Sequence, residues 1–171
     1  MDLSNIKIKQ DLPYPEISEA NECQRTVGIL KDLISGKGGE MNAVLQYIYQ
    51  STVADKVDAD LGELFEEVGI VCMHHTGLLM HAITDFGGLP KYEDSNGYSF
   101  NANCVNYAYK LKDMLDANLL LTQKQIDNYK QAINLVQNQS LKNLLMRILK
   151  DKEIWCESLK QLMGTIKFLS V

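Results

Sequence analysis

Proline placement restricts this chain more than any other property of its sequence. The 171 residues include three prolines, Pro13, Pro15 and Pro90. Helix interiors exclude proline because its ring clashes with the preceding turn and its nitrogen carries no hydrogen to donate. Long stretches on both sides of Pro90 are therefore free to form helices, and the sequence predicts an all-α protein.

Composition and charge exclude several classes of partner. Hydrophobic residues make up 46% and charged residues 23% of the chain, which is typical of a folded protein, and we expect a single domain over residues 1–171. The net charge of -5 argues against nucleic acid, because its binders present a basic face. No apolar run approaches the ~20 residues that span a bilayer, and no secretory signal opens the chain. We therefore expect no membrane partner and a cytoplasmic location.

Apolar residues recur with helical spacing in four segments that follow an N-terminal extension over residues 1–17. The predicted helices cover residues 18–54, 60–86, 104–137 and 140–168. The clearest stripes, with apolar residues spaced by three and four, lie on the second helix and on the last, where the stripe runs from Leu141 to Ile166. Gly36, Gly38 and Gly39 weaken the first predicted helix, so we expect a kink or break there.

The connections between these helices differ in length. A Gly-Gly-Leu-Pro sequence at residues 87–90 ends the second helix, and turn-forming residues follow at 94–97, so this connection is long. Short, long and short connections imply two antiparallel helix pairs joined by a crossover. The sequence therefore predicts an antiparallel four-helix bundle with a long crossover between helices 2 and 3.

Two segments of the first half resemble a known family. Residues 39–50 begin Gly-Glu-Met-Asn-Ala, and residues 70–79 contain Cys-Met-His-His ahead of the Gly-Gly-Leu-Pro turn. They resemble the Glu-bearing helix and the Glu-x-x-His helix of the rubrerythrin and manganese-catalase group within the ferritin-like superfamily. Such helices hold a dimetal centre. The resemblance implies that Glu40 and His75 stand at ligand positions and that Cys72 replaces a ligand Glu.

The second half is similar to the other helix pair of the same group, so the resemblance covers most of the chain. Residues 122–133 correspond to the third helix and residues 148–155 to the fourth. Thr122 then stands where the family has a Glu. Lys152 and Trp155 stand at the Glu and the His of the last Glu-x-x-His motif, and both fall on the apolar stripe of their helix.

The resemblance therefore implies a degenerate dimetal site. Of its six ligand positions, Glu40 and His75 retain the family's chemistry, and one carboxylate cannot balance the charge of two metal ions. We expect no cofactor. A single zinc, iron or manganese ion held by Cys72, His75 and Glu40 remains an alternative, because a cysteine and a histidine three residues apart suit a soft ion.

A sharper hypothesis concerns the lysine at the site. We predict that the ammonium of Lys152 pairs with Glu40 across the core, since an unpaired buried carboxylate is costly. Trp155 would fill the volume that a histidine and a metal vacate. His75 would be a core histidine hydrogen-bonded to Glu40 or Thr122.

Three alternative functions are consistent with these interpretations of the sequence. The first is a non-catalytic structural or interaction module, expected to form a homodimer through helix faces and to act with a protein partner that the sequence does not identify. The second is a metal-handling protein or oxidoreductase that binds ions through Glu40, His75 and Cys72 and acts on peroxide or oxygen. The missing carboxylates and the absence of a Cys-x-x-Cys electron module argue against it. The third is a component of a spore coat or another assembly.

Overall fold

The computed structural model describes residue 3 and residues 5–169, with side chains as far as residue 165. Its α-helices are α1 (Gln24–Ser35), α2 (Glu40–Ala54), α3 (Ala59–Asp85), α4 (Leu111–Leu135) and α5 (Gln139–Leu169), and a 3-10 turn covers Ala102–Cys104. Helices α2 and α3 form one pair and α4 and α5 the other. The predicted all-α bundle with a long connection between its second and third helices is confirmed.

The first predicted helix, residues 18–54, is wrong at its start, and the break expected at its glycines divides it into two helices. Helix α1 begins at residue 24, after an extended segment, and α2 begins at Glu40. Gly38 adopts a left-handed backbone with φ of 72°, which glycine tolerates and other residues rarely adopt. A Cβ atom on Gly39 would lie 2.5 Å from the Ile34 carbonyl oxygen. The glycine cluster therefore separates the two helices.

The third predicted helix, residues 104–137, also begins later than expected, at Leu111. Residues 105–110 are not helical, and the Asn106 backbone N–H donates to Gln46 Oε1 on α2 at 3.1 Å. This contact holds the end of the crossover against the first helix pair. The other two predicted helices differ from α3 and α5 by one residue at each end.

Side chains cap the starts of α3 and α5. Asp58 accepts a hydrogen bond from the Leu61 N–H at 3.2 Å, and Asn138 accepts one from the Leu141 N–H at 2.8 Å. Each satisfies an amide that has no partner within its own helix. Each cap ends a short connection, residues 55–58 between α2 and α3 and residues 136–138 between α4 and α5. Helices joined by such short connections run antiparallel.

The apolar core consists of two clusters that meet near the middle of the bundle. On α3, Cys72 belongs to one cluster and Leu79 to the other. On α5, Trp155 and Ile148 divide in the same way. The residues between them on each helix include His75 and Lys152, so these polar side chains lie where the two clusters meet.

The N-terminal segment lies along α5 and runs antiparallel to it. The Lys7 carbonyl accepts from Ser158 at 2.6 Å, and the Ser18 carbonyl accepts from Ser140 at 2.9 Å. Helix α5 therefore buries a second face under this segment. The first face is the predicted stripe, which is buried from Leu141 to Leu162; the side chain of Ile166, also assigned to that stripe, lies outside the described residues.

Membrane insertion receives no support from these helices. Within the described residues, none of them combines the length and the apolar character that crossing a bilayer requires.

Candidate functional site

The structure places all six residues singled out from the sequence inside the bundle. Glu40, His75 and Thr122 expose none of their surface, and the remaining three expose 3% or less. Those three are Cys72, Lys152 and Trp155. Helices α2, α3, α4 and α5 each contribute at least one of these residues. The inward-facing side of each helix passes the level at which the two apolar clusters meet.

Glu40 is the centre of the arrangement. Its Oε2 atom accepts a hydrogen bond from Lys152 Nζ at 2.7 Å, and its Oε1 atom accepts one from the Tyr129 hydroxyl at 2.6 Å. The predicted ion pair between Lys152 and Glu40 is therefore present. Burial opposes ionisation of Glu40, but the charge of Lys152 and the imidazole of His75 outweigh it and lower the pKa of the carboxyl to about 2.

Lys152 has a second partner in Cys72. The ammonium donates to Cys72 Sγ at 3.3 Å. Burial alone would lower the pKa of Lys152, but the charge of Glu40 and the hydrogen bonds to Glu40 and Cys72 raise it, so the side chain carries a positive charge. Burial raises the pKa of the Cys72 thiol to about 12, which the lysine only partly offsets. The thiol is therefore neutral near pH 7 and poorly suited to nucleophilic chemistry.

His75 does not bond as the sequence suggested. Its Nδ1 atom lies 3.7 Å from Glu40 Oε1, too far for a hydrogen bond, and has no hydrogen-bond partner among the described residues. Its Nε2 atom lies 3.1 Å from Asp151 Oδ2 and 3.1 Å from the Tyr14 hydroxyl. The predicted hydrogen bond from His75 to Glu40 or Thr122 is therefore wrong: Asp151 and Tyr14 hold the ring through Nε2, in a position that leaves Nδ1 3.7 Å from Glu40.

Asp151 is a site residue that sequence reasoning missed. It is buried, and its carboxylate accepts from Tyr14 at 2.6 Å, from the Gln10 N–H at 2.8 Å and from Arg147. Burial opposes its ionisation, but His75 and these donors together lower its pKa to about 2. The available signal was the spacing of Arg147 and Asp151, four residues apart on one helix with opposite charges.

Arg147 connects this carboxylate to the N-terminal segment. Its guanidinium donates to the Gln10 and Leu12 carbonyls at 2.6 and 2.7 Å and lies 4.4 Å from the centre of the Tyr14 ring. Two charges are thus buried against an extended segment whose backbone supplies hydrogen-bond acceptors.

Thr122 and Trp155 form bonds that do not involve Glu40. The Thr122 hydroxyl donates to the Asn118 carbonyl on its own helix at 2.8 Å. The Trp155 indole N–H donates to the Tyr47 hydroxyl at 2.6 Å, and the two rings pack edge to face with centroids 6.1 Å apart. Aromatic rings therefore fill this level of the bundle.

The donor set does not fit a metal ion. A cation among Glu40, His75 and Cys72 would have to share the carboxylate and the sulfur with the ammonium of Lys152, which already lies at hydrogen-bond distance from both. Like charges at such separations repel strongly in a buried site. Within the described part of the chain, no three His, Cys, Asp or Glu side chains are grouped so that they could hold a metal ion.

Comparison with known proteins agrees with this architecture. Two crystal structures of KatB, a manganese catalase from Anabaena (strain PCC7120 for the first), superpose with TM-scores of 0.84 and 0.83. Each is 18% identical in sequence, and each alignment covers 92% of this chain and 80% of the catalase chain. At that identity the likeness establishes the fold. No curated protein matches the sequence.

The family is established by sequence as well as by shape. The profile of the ferritin-like domain matches residues 37–169, which include all four long helices of the bundle. The match begins just before Glu40 and leaves the N-terminal segment and α1 outside. The chain therefore belongs to the ferritin-like domain family.

Proposed function

We propose that this protein is a non-catalytic ferritin-like module in which an ion pair replaces the dimetal centre. The observation that carries the proposal is the position of Lys152 Nζ, 2.7 Å from Glu40 and 3.3 Å from Cys72. The ammonium supplies the positive charge that the buried carboxylate requires. The centre then stabilises the fold and holds no redox-active ion.

Charge balance supports this proposal. In dimetal bundles of this kind, a Glu from each of two helices and a Glu-x-x-His motif from each of the other two surround the metals. Here Cys72, Thr122 and Lys152 stand where three of those four carboxylates would be expected. Glu40 alone balances one ammonium, whereas two divalent ions need several carboxylates.

Packing at the other end of the site supports the same proposal. Trp155 stands where a histidine ligand would be expected, and its indole is hydrogen-bonded to Tyr47 at 2.6 Å. Lys152 and Trp155 are thus each hydrogen-bonded to a side chain of the first helix pair, and neither offers a lone pair to a metal ion. We propose a cytoplasmic protein that acts through protein contacts, without an oxidoreductase activity.

Elemental analysis tests the proposal directly. Protein expressed in medium supplemented with iron, manganese and zinc is expected to contain far less than one ion per chain and to leave peroxide unconsumed. Two iron or manganese ions per chain, or peroxide turnover, would contradict the proposal. One zinc ion per chain would instead favour the alternative site formed by Cys72, His75 and Glu40.

A ligand-restoring variant sharpens this experiment. Cys72→Glu, Thr122→Glu, Lys152→Glu and Trp155→His together recreate the family's six ligands around Glu40 and His75, and the variant is expected to gain metal. A matched control, Lys150→Glu with Glu153→His, creates the same Glu-x-x-His spacing on side chains that are 53% and 38% exposed. Metal on the control as well would indicate adventitious binding.

A further inference from the structure

A groove runs along the outer face of α5, between the N-terminal segment and α4. Lys7 of the N-terminal segment, Ile126 of α4 and Lys150 of α5 are among the residues that line it, and its volume is about 630 Å³. Lys150 and the buried Lys152 are two residues apart, so they point to opposite sides of α5. The groove is therefore separate from the buried site.

Positive charge predominates in this groove, which we call the lysine groove. Its charged side chains are four lysines and two glutamates: Lys7, Lys130, Lys150, Lys160, Glu153 and Glu157. The whole chain carries a net charge of -5, so the charge of the groove is opposite to that of the molecule. Such a local excess of positive charge attracts an anionic partner.

The lysines of the groove are available to a ligand. Lys160 Nζ lies 2.6 Å from a Glu157 carboxylate oxygen, and these side chains are 48% and 68% exposed. An exposed pair of this kind contributes little to stability, so exchanging its carboxylate for that of a ligand costs little. Among the described residues, Lys7 and Lys130 form no ion pair. Each of the two walls therefore presents an unpaired ammonium.

Apolar side chains lie between the lysines. Ile126 and Ile154 are partly exposed in the groove, and Cys156 beside them is 5% exposed. The groove is open to solvent along its length, whereas a site for a small molecule encloses most of its ligand. This shape suits an extended peptide segment whose acidic side chains reach the lysines and whose apolar side chain contacts the isoleucines.

The wall formed by the N-terminal segment is ordered. The Ser158 hydroxyl donates to the Lys7 carbonyl at 2.6 Å, and the Arg147 guanidinium donates to the Gln10 carbonyl at 2.6 Å. The backbone that carries the Lys7 side chain is therefore held against α5. A wall that is already ordered loses little conformational entropy when a ligand binds.

We propose that the lysine groove binds an acidic segment of another protein. Carboxylates spaced along a peptide can pair with the lysines and avoid Glu153 and Glu157, whereas the closely spaced phosphates of a nucleic acid meet repulsion from these two residues. The inference rests on the proposed function in one respect, since it names a partner for the protein contacts through which that function acts. The buried site contributes nothing to it.

Fluorescence anisotropy tests the inference with a fluorescein-labelled peptide of glutamates around one central leucine. Wild-type chain is expected to bind this probe with an affinity that falls as salt is added. Lys7→Glu and Lys130→Glu, one on each wall, are each expected to raise the Kd at least about fivefold. Lys112→Glu makes the same change of charge on α4 at a 75% exposed lysine outside the groove, and this matched control is expected to shift the Kd by less than about twofold.

A variant that gains affinity provides a test that a folding defect cannot imitate. Glu157→Gln removes a negative charge from the groove and releases Lys160, so the Kd is expected to fall by about twofold or more. Circular dichroism establishes that each variant is folded. If Lys7→Glu or Lys130→Glu disturbs the fold, the other wall variant and Glu157→Gln still provide the test.

Three results would overturn the inference: no binding of the probe by wild type, equal binding by wild type and both wall variants, or tighter binding of inorganic polyphosphate than of the peptide. Each leaves the proposed function of the buried site standing, provided that the chain is free of metal. Conversely, a chain that binds the probe and also contains two iron or manganese ions contradicts the proposed function and supports the lysine groove.

Discussion

Around Glu40, the two helix pairs contribute opposite chemistry. Helices α2 and α3 supply acceptors: the Glu40 carboxylate, the Cys72 sulfur and the Tyr47 hydroxyl. Helices α4 and α5 supply the donors that reach them, from Tyr129, Lys152 and Trp155. In a dimetal bundle both pairs present acceptors to the ions. Around Glu40 in this protein, one pair is the donor for the other, so the pairs bind each other directly.

Removing the cationic donor is the most severe way to break this complementarity. Lys152→Met leaves the Glu40 carboxylate buried without its ion-pair partner, and we expect a loss of about 3–5 kcal/mol in the free energy of unfolding. Urea denaturation measures this loss. Lys150→Met, two residues away on the same helix and exposed, is expected to change stability by no more than about 0.5 kcal/mol.

The double variant Glu40→Leu with Lys152→Met determines whether the loss comes from the pair. Replacing both charges by apolar side chains is expected to bring stability to within about 1 kcal/mol of wild type. If the double variant is as unstable as Lys152→Met alone, the lysine stabilises the bundle through packing. The ion pair between the two helix pairs then contributes nothing to the free energy of unfolding.

Low pH should have the next largest effect, because it protonates Glu40, the acceptor that α2 supplies. The pKa of Glu40 is lowered to about 2 in the fold, so the stability it contributes is fully present above its unfolded pKa and is lost as the pH falls from about 5 to 2. The shift corresponds to about 3 kcal/mol. Stability measured against pH should fall less steeply over this range in the double variant. If wild type and the double variant lose stability equally as the pH falls, the donors on α4 and α5 do not hold Glu40 in its ionised form.

A smaller effect is expected where the N-terminal segment meets α5. Tyr14→Phe removes the hydroxyl that donates to Asp151 at 2.6 Å and should cost about 1–2 kcal/mol, since Arg147 and Gln10 still satisfy the carboxylate. Tyr98→Phe, at a 74% exposed ring, is the control and should be neutral. Equal stability of Tyr14→Phe and wild type would show that Asp151 needs no hydroxyl donor.

Sequence patterns predicted which side chains surround Glu40 better than they predicted the neighbouring segments of the chain. The stripe on α5 placed Lys152 and Trp155 inside the bundle, and the resemblance placed Glu40 opposite them, because helical spacing and family register both fix which side chains point inward. The predicted helix over residues 18–54 begins later than expected, and it breaks at the glycines, where a left-handed Gly38 turns the chain. Local propensity indicated a weak point there without determining that the helix would break.

The second polar cluster could not be predicted in this way. Asp151 and Arg147 are buried only because the N-terminal segment covers them, and an extended segment has no periodicity that reveals its docking position. His75 was assigned the wrong partner for the same reason. Which acceptor it meets depends on a contact between residues 76 positions apart.

The glycine break between α1 and α2 also has an electrostatic consequence. It makes Glu40 the first residue of α2, so the carboxylate lies at the helix end where unpaired amides give the macrodipole its positive pole. A continuous helix through residues 36–39 would place the same side chain in mid-helix and remove that field. Part of the attraction that keeps Glu40 anionic therefore originates in the backbone, and this part would persist in a chain that had lost its lysine.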